Sequence, residues 1–187
     1  MARVHHRKAA KDYPDHGITK GDLYYYTKIK TGPRSSRVLR SKEPFKRSQL
    51  TTSEFLSQLY DIEDSLGVLD DIGSAREIAE SLRELGQEQQ EKLDNMPEGL
   101  QESETGELLR TRAEGCETAA DSIEEIVDEW ETAHDEFQTA LAEAEEARIA
   151  LAERGDAEES DLEDIDEPEE VDEGDFLSRI QEITIDT

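Results

Sequence analysis

The sequence predicts a mainly α fold: a long antiparallel helical hairpin or coiled coil, with a small N-terminal β-hairpin module and a disordered acidic C-terminal tail. Three observations point there. Apolar residues recur on a 4-3 spacing across residues 109–151, a short aromatic and β-branched run precedes a Gly-Pro turn near the N-terminus, and charge is strongly segregated. Of the 187 residues, 34% are hydrophobic and 37% charged. Globular domains usually hold about 45–50% apolar residues, so a thin helical seam is within reach and a thick layered core is not. Residues 1–50 carry thirteen Lys/Arg against four Asp/Glu; residues 51–187 carry eight against forty-five, and the formal net charge is −28. Such polarity marks an interaction segment joined to an acidic body.

Residues 1–16 are basic and aperiodic, and are expected to form a flexible arm. Residues 17–47 form the expected β-hairpin module. It opens on a turn-forming stretch at 17–22, followed by Leu-Tyr-Tyr-Tyr-Thr-Lys-Ile-Lys at 23–30. As a strand this run places Tyr25, Thr27 and Ile29 on one face and Tyr24, Tyr26 and Lys28 on the other. Thr31-Gly32-Pro33-Arg34 reads as a turn and Arg37-Val38-Leu39-Arg40 as the returning strand. Two strands alone are marginal in water, so this module must pack on the helices, bind something or stay loosely ordered.

A helical body is expected over 51–154. Thr51 and Glu54 form a capping box, with Leu50 and Phe55 as its hydrophobic staple. Phe55, Leu59, Ile62, Leu66 and Leu69 follow as one stripe. Gly73 interrupts, Ser74 and Glu77 offer a second capping box, and Ile78, Leu82, Leu85, Gln89 and Leu93 continue the stripe. Asn95-Met96-Pro97-Glu98-Gly99 stops the helix. The strongest repeat is Leu109, Ala113, Cys116, Ala120, Ile123, Val127, Trp130, His134, Phe137, Leu141, Ala144, Arg148 and Leu151, in which only His134 and Arg148 are not apolar. Six heptads of this kind demand a covered seam. A helix this long measures roughly 75 Å, and the economical arrangement folds residues 53–95 back along it through a loop at 96–104. The same pattern serves closure within one chain or a homodimer.

Residues 156–175 hold thirteen acidic groups and no basic one. They cannot offset the entropy of ordering, so 155–175 is expected as a disordered acidic linker. Residues 176–187 form a short apolar segment that either docks on a partner or packs on its own domain.

No chemistry of catalysis stands out. Carboxylate pairs are inevitable among so many acids, His134 sits on the seam, and no nucleophile elbow, P-loop or dinucleotide fingerprint is present. The chain is therefore expected not to be an enzyme. His5, His6 and His16 with the distant Cys116 do not make a zinc set, and the acidic stretch lacks the spacing of a calcium loop; no metal or cofactor is expected. Cys116 excludes an intrachain disulfide, and it is either a small seam residue or a cross-link between parallel copies. No signal-like or membrane-length apolar run exists, so a cytoplasmic protein without membrane contact is expected.

The sharper expectation is nucleic-acid contact. Lys28, Lys30, Arg34, Arg37, Arg40, Lys46 and Arg47, together with Lys42, surround Tyr24, Tyr25 and Tyr26. Cations answer phosphates and tyrosine rings can stack bases. DNA and RNA are equally served. Alternatively, these cations are counter-charge for the acidic body and the tyrosines a mini-core. A further alternative makes the acidic helices a nucleic-acid mimic that occupies a host protein, and another makes the chain a virion or assembly component.

Lys8-Ala9-Ala10-Lys11-Asp12-Tyr13-Pro14, the run from Gly17-Ile18 to Tyr26, Ser48-Gln49-Leu50-Thr51 onward, and Asp94-Asn95-Met96-Pro97-Glu98-Gly99-Leu100-Gln101 before Thr105-Gly106-Glu107-Leu108-Leu109 carry a resemblance. Over roughly residues 7–130 the chain resembles a set of uncharacterised tailed-bacteriophage proteins with a basic, Tyr-rich N-terminus and a helical coiled-coil body. The resemblance implies a viral protein acting in a host cytoplasm, on host or phage partners. It implies no activity and no site residues.

Overall fold

A computed structural model describes residues 3–154 and 167–187. The chain is mainly helical with a small antiparallel sheet, and it divides into two compact units, Met1–Val68 and Leu69–Thr187.

In the first unit, β1 (Val4–Lys8), β2 (Leu23–Lys30) and β3 (Ser36–Ser41) form a three-stranded antiparallel sheet in the order β1-β2-β3. The arm expected over 1–16 is thus corrected: it supplies a strand, and the two-stranded hairpin becomes a sheet. All five side chains of β1 are exposed, so no alternation of polarity marks it. Its order comes from backbone pairing with β2, helped by the Thr27 hydroxyl, which donates to the Arg3 carbonyl at 2.9 Å. The intervening loop is also folded. Pro14–His16 makes a short 3-10 turn closed by Gly17 at φ 62°, a left-handed conformation that suits glycine. Asp12 accepts from the Lys20 N–H at 2.6 Å, and Asp22 accepts from the Thr19 N–H and hydroxyl at 3.0 and 2.9 Å. These bonds bring Ile18 and Ala9 onto Tyr24, where Tyr13 and Tyr26 complete a small buried cluster.

After a second 3-10 turn at Arg47–Leu50, α1 (Glu54–Leu66) buries Phe55, Leu59 and Leu66. Its N-cap is Ser53, which accepts from the Leu56 N–H; Thr51 instead accepts from the Ser53 N–H at 3.1 Å. Because α1 belongs with the sheet, the single helical body expected over 51–154 is corrected too. The chain breaks ahead of residue 72, and Gly73 lies inside the next helix.

The second unit contains α2 (Ile72–Asp94), α3 (Glu98–Gln101), α4 (Glu104–Arg154) and α5 (Glu173–Gln181). Asp71 caps α2 by accepting from the Ser74 N–H at 2.8 Å, satisfying an otherwise orphaned donor. The hydroxyl and backbone N–H of Ser74 hold its carboxyl below the usual range. α4 is unbroken over 51 residues. Its contacts with α2 run in opposite directions along the two helices. Arg76 reaches Asp128 at 3.4 Å and Glu131 at 3.0 Å, Arg83 reaches Asp121 at 2.7 Å and Glu124, and Gly86 lies against Ala113 and Cys116. A Cβ at Gly86 would sit 3.1 Å from the Ala113 carbonyl, so glycine and small residues set this close approach.

Buried are Ala75, Ile78, Ala79, Leu82, Leu85, Gln89 and Leu93 on α2, and Ala113, Cys116, Ala119, Ala120, Ile123, Ile126 and Val127 on α4. The expected stripe is therefore covered from Ala113 to Val127, with Leu109 half-buried ahead of it. Further along, Trp130 and Phe137 are half-buried, Leu141 is 41% exposed and Ile149, beside the stripe, is 55% exposed. The cause is length: α2 has 23 residues to α4's 51.

The C-terminal segment packs on its own unit. Glu173 accepts from the Ile72 N–H at 2.9 Å, Gln181 donates to the Leu69 carbonyl at 3.0 Å, and Arg179 pairs with Glu129 at 2.7 Å. Ile180 is fully buried and Ile185 nearly so. A Cβ at Gly115 would overlap the carbonyl oxygen of Asp186, so this mid-helical glycine admits the chain end. The acidic linker expected over 155–175 is corrected at its far end, where Glu173 and Asp175 form the first turn of α5, capped by Asp172. Acidic groups suit that end of a helix. Residues 155–166 lie outside the described residues. Among the described residues, no helix is long and apolar enough to cross a membrane.

Candidate nucleic-acid interface

Alternation along the strands sorts the basic module into two faces. Antiparallel register places Arg7 opposite Tyr24, His5 opposite Tyr26, and Arg40 opposite Tyr26 on the other side. Directly paired residues project to the same face, so β1, β2 and β3 together present His5, Arg7, Tyr24, Tyr26, Lys28, Lys30 and Arg40 on one surface. The opposite surface takes Tyr25, Thr27, Ile29 and Arg37, with Thr27 and Ile29 buried.

On the first surface the cations are organised by rings. The Arg7 Nε donates to the Tyr24 hydroxyl at 2.9 Å, while its guanidinium carbon lies 4.9 Å from the Tyr26 ring centre. The His5 ring stacks on Tyr26 at 5.2 Å and 23°. Arg40 stands 4.6 Å over Tyr13, which Lys11 also approaches at 5.5 Å. Each exposed cation–π contact contributes about 0.5–1 kcal/mol, enough to hold a side chain's direction. The hydrogen bond to Tyr24 pushes the Arg7 pKa up. Burial alone would raise the Tyr24 phenol, but donation from Arg7, with Tyr13 and Arg40 beside it, outweighs that and lowers it.

Arg3, His5, Arg7, Tyr26 and Lys28 line a cleft of about 490 Å³. Among the described residues, the ion pairs of this unit are Lys42 with Asp22 at 3.0 Å and Arg47 with Glu63 at 2.7 Å. Neither involves the cleft. Thr19 and Lys42 together hold the Asp22 carboxyl down at about 2.

The ten residues expected to contact nucleic acid are therefore divided. Tyr24, Tyr26, Lys28, Lys30 and Arg40 share the basic surface. Tyr25 and Arg37 face the other way, with Tyr25 tilted against His6 at 6.3 Å. Arg34 lies exposed in the turn between β2 and β3 and Lys46 just ahead of the second 3-10 turn. Arg47 is committed to Glu63 and to the Tyr60 ring, 4.1 Å away. Arg3, His5 and Arg7 were missed. Nothing in their own spacing signals them, because their place is set by pairing with a strand some twenty residues later.

The seam residues make no comparable site. Cys116 is fully buried and desolvation raises its thiol to about 11, so it is a small seam residue rather than an accessible cross-link. Trp130 stacks on His134 at 4.8 Å, beside a cavity of about 460 Å³ that Phe137 and residues 170–173 also line. Acidic side chains of α4 are partly neutralised by Arg76, Arg83 and Arg179. Among the described residues, no three His, Cys, Asp or Glu side chains gather as a metal-ligand group. No family model, curated protein or solved structure matches this chain.

Proposed function

We propose that this chain is a non-catalytic accessory protein that contacts nucleic acid through the basic surface of its N-terminal sheet, while its acidic helical unit binds protein or self-associates. That role is the one a viral protein would play in a bacterial host cytoplasm, as the resemblance to tailed-bacteriophage proteins implies. One observation carries the reading. In a chain of net charge −28, Arg3, Arg7 and Lys28 converge on one cleft and have no carboxylate partner among the described residues. Fixed, uncompensated cations attract polyanions, and phosphate is the polyanion that guanidinium and ammonium groups bind with release of counterions. Self-association draws on a separate feature, the Leu141 and Ile149 side chains exposed beyond the reach of α2. A second copy pairing there as a coiled coil would cover them.

Fluorescence anisotropy with labelled DNA and RNA strands tests the nucleic-acid role, with light scattering on the same samples for mass. The double variant Arg7→Ala/Lys28→Ala is expected to lose at least about tenfold in affinity at low salt. Equal binding by the variant rejects the cleft as the contact. A single host protein captured in constant ratio, with nucleic acid digested and the cleft variant equally effective, would favour the mimic instead.

A further inference from the structure

The geometry points to recognition of phosphates alone at this cleft, with the tyrosines serving to aim the cations and not to stack bases. The inference rests on the proposed nucleic-acid role and narrows it to a ligand class: the backbone of a strand, without preference for its bases. Stacking needs an aromatic face free to receive a base. The tyrosines around the site are buried, already engaged by other side chains or turned away, and the other ring lining the cleft, His5, is itself stacked on Tyr26. Tyr24 is 1% exposed. Tyr26 already carries the His5 ring and the Arg7 guanidinium, and Tyr13 carries Arg40 and Lys11. Tyr25 belongs to the opposite surface, tilted against His6.

What the rings do instead is hold Arg7. The Tyr24 hydroxyl takes its Nε hydrogen and the Tyr26 ring lies beside its plane, so two contacts fix the guanidinium. The remaining Nη donors are left to meet an anion, and a guanidinium pre-set in this way loses less freedom on binding than a loose one. Arg3 and Lys28 line the same cleft and suit neighbouring phosphates of a flexible strand. Tyr24 is thus a positioning residue that acts through Arg7.

The full chain is titrated by anisotropy against three labelled ligands of equal length: an oligothymidine, the same strand with every base replaced by an abasic sugar, and a duplex. The abasic strand is expected to bind within about threefold of oligothymidine, with a salt slope near −2 for three phosphates at roughly −0.7 each. An abasic strand weaker by tenfold or more, with oligothymidine still bound, overturns phosphate-only recognition and leaves the nucleic-acid role standing. Failure of all three ligands overturns both. Tyr24→Phe keeps the buried ring and Arg7→Lys keeps the charge. Both are expected to weaken binding about three- to tenfold at an unchanged salt slope, whereas Arg7→Ala lowers the slope by about 0.7. Wild-type affinity in Tyr24→Phe and Arg7→Lys removes the positioning role. Circular dichroism on each variant separates these outcomes from unfolding.

Discussion

Cations on the long helices and cations at the cleft of the sheet live under opposite conditions. In the helical unit Arg76, Arg83, Arg148 and Arg179 each reach a carboxylate within 3.4 Å, so their charge is spent on fastening α2, α5 and the preceding acidic residues to α4. In the sheet unit Arg7 meets tyrosine rings, and Arg3 and Lys28 line the same open cleft, with no acid partner among the described residues. Residue type is the same and surroundings differ. An arginine count therefore says little about binding; an arginine that is held in place and left uncompensated says more, because its attraction is still available to a ligand.

That contrast can be broken from either side. The largest effect on stability should come from the seam. Leu82 is fully buried against α4, and Leu82→Ala is expected to cost about 2–5 kcal/mol in denaturant unfolding of the helical unit. Strand affinity should not change; if it falls in parallel, the two units do not divide their work as argued.

A smaller, more local effect is expected at Gly115. Replacing it by alanine favours the helix by up to about 1 kcal/mol, yet the new methyl group collides with the Asp186 carbonyl. These opposed terms should leave global stability nearly level while amide exchange across residues 183–187 speeds up. Unchanged exchange there would mean the chain end does not rest on α4.

The smallest effect concerns the ion pair between Asp22 and Lys42 in the sheet unit. Asp22 titrates at about 2, below its ordinary value, because Thr19 donates to it and Lys42 sits 3.0 Å away. A depressed carboxyl contributes stability at pH values above its unfolded pKa of about 3.9, and that contribution disappears as pH falls through about 2. Asp22→Asn should therefore lower the stability of this unit at neutral pH and flatten its loss between pH 4 and 2, read by circular dichroism melts. A variant as steep as the parent would show that other carboxylates control the acid response.

Much of the molecule could be read in advance because it is locally encoded. The repeat from Ala113 through Val127 lies on the buried face of α4, and Leu23–Lys30 is a strand with the two faces its alternation assigns. The misses share a cause. β1 has no polarity pattern, since all its side chains are exposed and its order is in backbone pairing. The stripe from Phe55 to Leu66 looks continuous with that of α2, yet α1 packs on the 3-10 turn before it and belongs with the sheet. The seat of the chain end at Asp186 depends on Gly115, far earlier in the chain.

Sequence by itself determined the long helix, the central strand and the polarity of charge, because side-chain spacing of three to four or of two residues is information carried within a segment. It also limited the core to a thin seam, through the scarcity of apolar groups. Tertiary structure decided which cations are neutralised and which stay available, and what each tyrosine ring is engaged with. Those outcomes depend on partners distant along the chain: Tyr24 holds Arg7, Glu63 holds Arg47, and the length of α2 determines where the greasy edge of α4 is covered.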